Sequence, residues 1–262
     1  MSRFCPLFSS SGGNCTYLSG GSTRLLVDAG VSCRSILSAL EQISVDPATL
    51  SGILLTHEHI DHIKGLKVLL KKIKVPVFAS CGTLDYLVSQ DLIPPGAQLV
   101  ELEQALVVGD IRVTPFATPH DCAQSLGFRL EMPDERVIGI ATDLGHITET
   151  VASHLERCDL IMLESNYDEG MLQCSPYPYH LKRRIQSSVG HLSNPECARQ
   201  LQGLVQRGSV HLVLAHLSSQ NNMPAVAHAT TKCQLEMAGM TENVDYTLCV
   251  APRNGPGQPI IF

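Results

Sequence analysis

The segment GILLTHEHIDHIKG, at positions 52–65, places three histidines, a glutamate and an aspartate within six positions, directly after an apolar run. Buried polar groups need a partner, and charge on solvated surfaces is mostly Lys and Glu. If the chain stays extended after the strand, His57 and His59 point the same way and can bind one cation. Asp61 and His62 fall where a helix begins, so they can face a second cation. The segment therefore predicts a metal site at the end of a buried strand.

Three further candidates also follow apolar runs that are typical of strands: His120 in ATPHD, Asp143 in ATDLG and His216 in LAHLS. Side chains at neighbouring strand ends can converge on one edge of a sheet, where loops often carry functional residues. Each of the three, taken alone, is typical of a hydrogen-bonded structural residue. Their shared position is what favours a role as ligands. The motif is not the zincin pattern His-Glu-x-x-His, because Asp61 stands where the second histidine belongs.

The composition limits the class of protein. The 262 residues show no internal repeat or long linker, which predicts a single domain over residues 1–262. No apolar run approaches the roughly 18 residues of a spanning helix, and no secretory signal is recognisable, so we expect a cytoplasmic protein without a membrane partner. The ten cysteines form no C-x-x-C pair, which argues against a zinc ribbon. The net charge of −6 means that any nucleic-acid binding must use local basic clusters and bound cations.

Strand patterns dominate the first half of the chain, and strands and helices mix later. Turn signals predict hairpins at Gly20-Gly21, Gly109-Asp110 and Pro133-Asp134. Apolar spacing and capping residues predict helices over residues 61–72, 81–90, 147–157 and 193–208, and from about Pro224. This order favours sheets packed together with helices outside, an α/β layered fold.

The segment THEHIDH, together with Asp28, His120, Asp143 and His216, resembles the ordered motif set of the metallo-β-lactamase superfamily. The resemblance implies a four-layer αββα sandwich with a dinuclear site between its sheets. It also implies the ligands of each metal. One metal is assigned to His57, His59 and His120, the other to Asp61, His62 and His216, with Asp143 bridging and Asp28 orienting the histidine loop without binding metal.

A narrower resemblance covers nearly the whole chain. The segments SSSGGNCTYL, ESNYDEGML, YPYHLKRRI, GHLSN and LAHLSSQNN resemble the YycJ (WalJ) group of small exonuclease-like members of this superfamily. That similarity implies a 5′→3′ DNA exonuclease with a role in mismatch repair. GHLSN followed by LAHLS also resembles the late motifs of ribonuclease J, although this chain lacks the large inserted domain of that enzyme.

Two cations about 3.5–4 Å apart can acidify a bridging water and stabilise the attacking and leaving oxygens of a phosphodiester. We therefore expect a metal-bridging hydroxide as the nucleophile, with Asp61 orienting it or moving its proton as well as binding metal. His191 and Ser193 in GHLSN precede a predicted helix, and we predict that they contact a phosphate, with His191 assisting the leaving oxygen. The alternative for His191 is a capping or packing role. Asn14, in a glycine-rich turn, is a candidate substrate contact or a residue that serves the turn itself.

Two basic clusters can follow a phosphate backbone: Lys64, Lys67 and Lys71, and Lys182, Arg183 and Arg184. Solvated helix faces are the alternative reading of both clusters. The expected partner is a nucleic acid, DNA rather than RNA. The expected cofactors are two divalent metal ions, Mn or Zn with Fe as a further candidate, because imidazole and carboxylate ligands suit all three.

Other functions remain open on the same scaffold. They include RNA processing, hydrolysis of small phosphodiesters and a glyoxalase II-like thioesterase. A secreted β-lactamase is disfavoured because that branch lacks a counterpart of His62, and flavodiiron-type proteins are disfavoured because they carry glutamate where this chain has His59. A non-catalytic protein with a structural metal is disfavoured because structural zinc sites are usually four-coordinate and closed.

Overall fold

The computed structural model describes residues 1–262, and its strands form two sheets of seven strands each. The first sheet contains β1 (Arg3–Phe8), β2 (Cys15–Gly20), β3 (Thr23–Val27), β4 (Gly52–Leu54), β5 (Val77–Ala79), β6 (Leu99–Glu101) and β14 (Ile260–Ile261). The second contains β7 (Leu106–Val108), β8 (Ile111–Ala117), β9 (Leu126–Glu131), β10 (Val137–Ala141), β11 (Leu160–Glu164), β12 (His211–Ala215) and β13 (Thr247–Val250). The helices are α1 (Cys33–Gln42), α2 (Ile60–Ile63), α3 (Leu66–Lys72), α4 (Cys81–Ser89), α5 (Glu149–Leu155), α6 (Glu169–Cys174), α7 (Tyr179–Ile185), α8 (Asn194–Gln206) and α9 (Pro224–Met237).

Both sheets are mixed and share one design. The first has the strand order β14-β1-β2-β3-β4-β5-β6, and the strands from β3 to β6 pair in parallel. The second has the order β13-β12-β11-β10-β9-β8-β7, and the strands from β10 to β13 pair in parallel. Parallel neighbours end at the same edge of a sheet, so each sheet collects several strand-end loops at one rim.

Alternation along the strands separates the layers. In β3, Leu25 and Val27 pack into the core between the two sheets, whereas Leu26 packs into the core beneath the first set of helices. Ile36 of α1 belongs to that outer core. Leu201 of α8 belongs to a third core, on the outer face of the second sheet. The four-layer αββα sandwich predicted from the sequence is therefore confirmed.

The predicted helix over residues 61–72 is instead two short helices, α2 and α3. The interruption has a hydrogen-bonding cause. The amide of Gly65 donates to Ala29 O, and the carbonyl of Asp61 accepts from Asn14 N at 2.8 Å, so neither group completes the helical ladder. A Cβ on Gly65 would also lie 2.2 Å from the Val31 carbonyl oxygen. Close packing against the loops after β1 and β3 thus fixes α2 beside the histidine motif.

Strand β1 and helix α1 were not predicted from the sequence. The first strand contains Pro6 and a register shift between Pro6 and Phe8, features that weaken a strand pattern. Helix α1 is capped by Ser32, whose side chain accepts from Ser35 N. None of the helices is long and apolar enough to cross a membrane.

Candidate metal centre

The seven predicted metal ligands lie together at the rim between the two sheets. Four of them occupy the loop and short helix that follow β4, and the other three follow β8, β10 and β12. Their nitrogen and oxygen atoms form three overlapping groups, each with all its atoms within 4.8 Å of one another: His57, His59 and His120; Asp61, His62 and His216; and His57, His62 and Asp143. Residues of both sheets thus contribute to one cluster.

The first group presents ring nitrogens toward a common point. His120 Nε2 lies 3.3 Å from His59 Nδ1. His57 is fully buried, and its Nε2 has no hydrogen-bond partner although its Nδ1 lies 3.1 Å from Thr56 Oγ1. A buried imidazole nitrogen without a partner is costly unless something binds it.

The second group is organised around a carboxylate. Asp61 Oδ2 lies 3.3 Å from His216 Nε2 and 3.6 Å from His62 Nε2. Asp143 lies between the two groups, with Oδ2 3.3 Å from His62 Nε2 and Oδ1 3.8 Å from His120 Nε2. Asp143 is almost fully buried, and its Oδ2 makes no hydrogen bond of normal geometry.

Three residues of the site share an unusual backbone conformation. Asp28, Asp143 and His216 follow the ends of β3, β10 and β12, and they have φ angles of 63°, 58° and 53°. The left-handed region is uncommon for residues with a side chain and costs roughly 1–3 kcal/mol each. One strand of the first sheet and two strands of the second are therefore each followed by a residue in this conformation at the rim.

A buried carboxylate stands behind the ligands of the first sheet. Asp28 Oδ1 accepts from Thr56 N at 2.9 Å, and Oδ2 lies 2.8 Å from His62 Nδ1. These contacts fix the start of the histidine loop and direct His62 Nε2 toward Asp61. Asp28 belongs to none of the ligand groups. The placement agrees with the orienting role that the resemblance assigned to it.

A second buried carboxylate stands behind the ligands of the second sheet, and the sequence analysis missed it. Glu164 is the last residue of β11 and is fully buried. Its Oε1 lies 2.8 Å from both His216 Nδ1 and His191 Nδ1, and its Oε2 accepts from Leu144 N and Leu192 N. Two signals in the sequence point to it: Glu164 ends an apolar strand, and it opens the segment ESNYDEGML.

Comparisons with known proteins identify the family of this chain. The family model described as "Beta-lactamase superfamily domain" matches residues 23–217. The chain belongs to this family. It is 34% identical over 241 residues to Exodeoxyribonuclease YycJ of Bacillus anthracis, covering 90% of each chain. It is 33% identical over 248 residues to Exodeoxyribonuclease WalJ of Streptococcus pneumoniae, covering 93% of this chain and 92% of the other.

A solved structure supports the fold independently. The metallo-β-lactamase fold protein YhfI of Bacillus subtilis aligns with a TM-score of 0.75 and 17% identity, covering 98% of this chain and 100% of that one. At this identity the likeness establishes the fold alone. The expected membership of the metallo-β-lactamase superfamily, and the expected similarity to the YycJ/WalJ group, are both confirmed.

The electrostatics of this superfamily site divide the histidines into two types. Burial, followed by the neighbouring His62, lowers the pKa of His57 well below its ordinary value, so His57 is neutral and can accept a cation. Burial acts to lower the pKa of His62, but Asp28 and Asp143 outweigh it and raise that pKa well above the ordinary value. In the same way Asp143 and the other carboxylates overcome burial and raise the pKa of His216 to about 10.

The carboxylates are shifted in the opposite direction. Burial acts to raise the pKa of Asp143, but His216 and His62 hold it well below the ordinary value. Burial also acts to raise the pKa of Glu164, and His191 together with the His216 contact lowers it. Both acids are therefore anionic at neutral pH. Positive charge at this point of the molecule is stabilised by buried negative charge.

The donor set suits divalent cations of the kind found in this superfamily. Imidazole nitrogens and carboxylate oxygens converge, and two of the converging atoms, His57 Nε2 and Asp143 Oδ2, are buried without a hydrogen bond. The Nδ1 atoms of four histidines are held by protein groups on the outer side of the site: His57, His62, His120 and His216. Such outer contacts set which nitrogen faces a metal. The residues present therefore fit a metal centre.

The three predicted substrate contacts lie in different settings. His191 has Nδ1 held by Glu164, and its side chain is 15% exposed at the rim. Ser193 is fully buried, and its hydroxyl donates to Glu196 Oε2 at 2.9 Å within the capping box of α8. Since helix capping uses this hydroxyl and no solvent reaches it, the structure does not favour the predicted phosphate contact of Ser193.

Asn14 is, from the sequence, a candidate for a substrate contact or for a role within its own turn, and its side chain is held by protein groups. Its side chain is nearly buried, and Nδ2 donates to Ser10 O at 3.1 Å and to Asp61 O at 3.3 Å. It approaches His62 Nε2 at 3.1 Å as well. These contacts place the Asn14 amide against the backbone of Asp61 and the ring of His62. The structure therefore favours a positioning role for Asn14 rather than the predicted substrate contact.

The glutamate within THEHIDH faces away from the centre. Glu58 is buried, and its Oε1 accepts from Ala123 N at 2.6 Å while Oε2 accepts from Thr83 Oγ1 at 3.1 Å. It ties the loop after His120 to helix α4. Its role is therefore to hold the histidine loop against the loop after His120 and against helix α4.

Proposed function

We propose that this chain is a metal-dependent exodeoxyribonuclease that hydrolyses DNA in the 5′→3′ direction. The observation that carries the proposal is a converging histidine and carboxylate centre in a chain that is 33–34% identical, over at least nine tenths of its length, to proteins named as exodeoxyribonucleases. The direction of digestion and a contribution to mismatch repair are the finer parts of the proposal, and they rest on that similarity. A cytoplasmic location is proposed on the same similarity.

We assign two divalent cations to the two ligand groups. His57, His59 and His120 would hold one cation, Asp61, His62 and His216 would hold the other, and Asp143 lies within reach of both groups. A pair of divalent cations supplies an acidified water at neutral pH and charge stabilisation for the attacking and leaving oxygens. Manganese and zinc both suit these ligands, and iron is a further candidate.

Asp61 is the partly open carboxylate of the cluster. Its side chain is 20% exposed, whereas that of Asp143 is 2% exposed. Asn14 holds the backbone carbonyl of Asp61, and His216 Nε2 lies 3.3 Å from Oδ2. We assign to Asp61 the orientation of the nucleophilic water and the transfer of its proton, in addition to metal binding.

His191 is the second candidate for proton transfer. Glu164 fixes its Nδ1, so Nε2 is the nitrogen left to face a substrate at the rim. The carboxylate orients the ring, as a buried acid does for a catalytic histidine. We assign to His191 the donation of a proton to the leaving oxygen, with Glu164 as its positioning residue.

The test compares strand polarity in one experiment. Single-stranded DNA labelled at either the 5′ or the 3′ end is incubated with chelator-treated protein resupplied with Mn²⁺ or Zn²⁺. We expect labelled mononucleotide from the 5′-labelled strand at early times and stepwise shortening of the 3′-labelled strand. Both activities should be lost in Asp143→Ala. The matched control is Asp110→Ala, a change of an exposed aspartate in the β7–β8 turn.

A second function competes with the first. Hydrolysis of RNA, of small phosphodiesters or of thioesters is compatible with the same cluster, because all need an activated water and stabilised negative charge. Bis(4-nitrophenyl) phosphate, an RNA strand and a glutathione thioester are therefore run beside the DNA. Metal-dependent turnover of one of these, with intact DNA, would replace the nuclease proposal.

A further inference from the structure

The chain between α6 and α8 has a charge that differs from the rest of the molecule. Residues 170–195 contain no Asp or Glu and include Lys182, Arg183 and Arg184, although the whole chain carries a net charge of −6. We propose that helix α7 is a platform for single-stranded DNA, on which Tyr179 stacks against a base and Arg183 contacts the backbone. The inference deepens the proposed function and rests on it.

The platform is fixed to the metal centre at one end. Arg184 of α7 makes a paired contact with Asp121, at 2.6 Å from Nε to Oδ2 and 2.8 Å from Nη2 to Oδ1. Asp121 directly follows the predicted ligand His120, and its amide donates to Val189 O. His120 Nδ1 lies 3.1 Å from Gly190 O. The C-terminal end of α7 is therefore joined to the rim that carries the ligands.

The platform also has a small apolar core of its own. Tyr167, Leu172 and Ile185 are buried together, and Tyr177 and Leu181 pack against them. These contacts order α6 and α7 without using Tyr179. Removal of the Tyr179 ring is therefore expected to leave the fold of the segment intact.

Tyr179 is placed to meet a ligand rather than the protein. Tyr179 is 76% exposed, and the next most exposed aromatic residue, Tyr86, is 42% exposed. Arg183 is four residues further along the helix, so the two side chains share one face. Lys182 donates to Gln173 O and Arg184 to Asp121, whereas the exposed side chain of Arg183 has no hydrogen-bond or ion-pair partner in the protein.

An aromatic ring beside an exposed guanidinium matches a nucleic-acid single strand. Bases of every sequence stack on tyrosine, and arginine neutralises phosphate without reading sequence. A sequence-tolerant grip near the centre is what an exonuclease needs while it moves along a strand. The positive charge of α7 is complementary to the phosphates of DNA, whereas the net negative charge of the protein as a whole repels them.

The first experiment measures binding in the inactive Asp143→Ala protein. Fluorescence anisotropy follows a 12-nucleotide oligodeoxythymidylate labelled at its 3′ end. We expect Tyr179→Ala to weaken binding about 10- to 100-fold, the worth of one stacked base, and Tyr179→Phe to bind like the parent. Tyr86→Ala, which removes an exposed tyrosine from α4, is expected to bind unchanged.

A second experiment asks whether the ring contacts a base. One abasic nucleotide is moved stepwise along the first six positions of the oligonucleotide. We expect one position at which the abasic strand binds the parent weakly and at which Tyr179→Ala causes no additional loss. In the active protein, Tyr179→Ala should raise KM for DNA while kcat and the hydrolysis of bis(4-nitrophenyl) phosphate stay unchanged.

The outcomes separate the platform from the nuclease activity. DNA degradation with an unchanged KM in Tyr179→Ala, or equal losses in Tyr179→Ala and Tyr86→Ala, would overturn the platform and leave the proposed function standing. A protein that neither binds nor degrades DNA would overturn both. Capture of a protein partner through Tyr179, with unaltered DNA binding, would also overturn the assignment of this surface to DNA.

Discussion

The two halves of the metal centre are built in different ways. The first sheet supplies four predicted ligands from one continuous stretch, positions 57–62, whereas the second supplies the predicted ligands His120, Asp143 and His216 from three separate strand ends. Each half has one buried carboxylate behind it, Asp28 in the first and Glu164 in the second. A contiguous motif can be recognised from local sequence. A dispersed set becomes visible only through the topology that brings the strand ends together.

The largest effects are expected at His120 and His216, because each is a predicted ligand in only one of the two groups. His120→Ala and His216→Ala should each lower kcat/KM by a factor of at least about 10³, which is ~4 kcal/mol of transition-state stabilisation. Elemental analysis should find two metal equivalents in the parent and one in each variant, because His120 belongs to one group and His216 to the other. His228→Ala is the control, since His228 contacts Glu242 outside the centre. Retention of both equivalents in either variant would refute the division into two groups.

The next effect sharpens the comparison of the two supporting carboxylates. Glu164→Gln should lower kcat about 100-fold and metal affinity less, because Glu164 holds His191 as well as the predicted ligand His216. Turnover at saturating metal and a chelator competition assay measure the two quantities. A loss of metal affinity that accounts for the whole loss of turnover would remove His191 from the proposed chemistry.

Asp28→Asn should lower metal affinity more than turnover, the reverse of Glu164→Gln, and its effect on turnover should be smaller. Asp28 contacts His62 and the loop amide of Thr56 and reaches no candidate proton donor. We expect metal affinity to fall about 10-fold and turnover to return when metal is in excess. The same chelator competition measures this. Turnover that stays low at every metal concentration would show that the two carboxylates do not differ in the way proposed.

The smallest effect on turnover is expected at Glu58, the member of the motif that faces away from the centre. Glu58→Ala leaves the Ala123 amide and the Thr83 hydroxyl without their acceptor, at a cost of roughly 1–3 kcal/mol. Chemical denaturation should show this loss, and metal content should be unchanged. Glu103→Ala, at an exposed position, is the control. A loss of metal in Glu58→Ala would show that the loop after His120 depends on this contact for its position.

The sequence predicted much of the fold and of the site, for physical reasons that differ by residue. Strand periodicity, hairpin turns and the capping box at Ser193 are local signals, and the structure contains all of them. The break between α2 and α3 could not be predicted, because it comes from hydrogen bonds to Ala29 and Asn14, which are distant along the chain.

The site shows the same limit. In the sequence, Glu164 is a polar residue at the end of an apolar strand. Only the fold places it between His191 and His216. Ser193 and Asn14 have residue types that suit substrate contacts. Their hydroxyl and amide groups are instead occupied within the protein, which depends on neighbours that the sequence does not identify.

The separation of the ligands along the chain has a consequence for biosynthesis. Asp61 and His216 lie 155 residues apart, yet their side chains are 3.3 Å from each other. A ribosome-bound chain that has exposed the histidine loop still lacks β12 and the imidazole that follows it. A centre with both ligand groups can therefore arise only after the second sheet has been translated and has folded against the first. The complete centre therefore forms late in translation and folding. Truncated products carry the histidine motif without the complete centre.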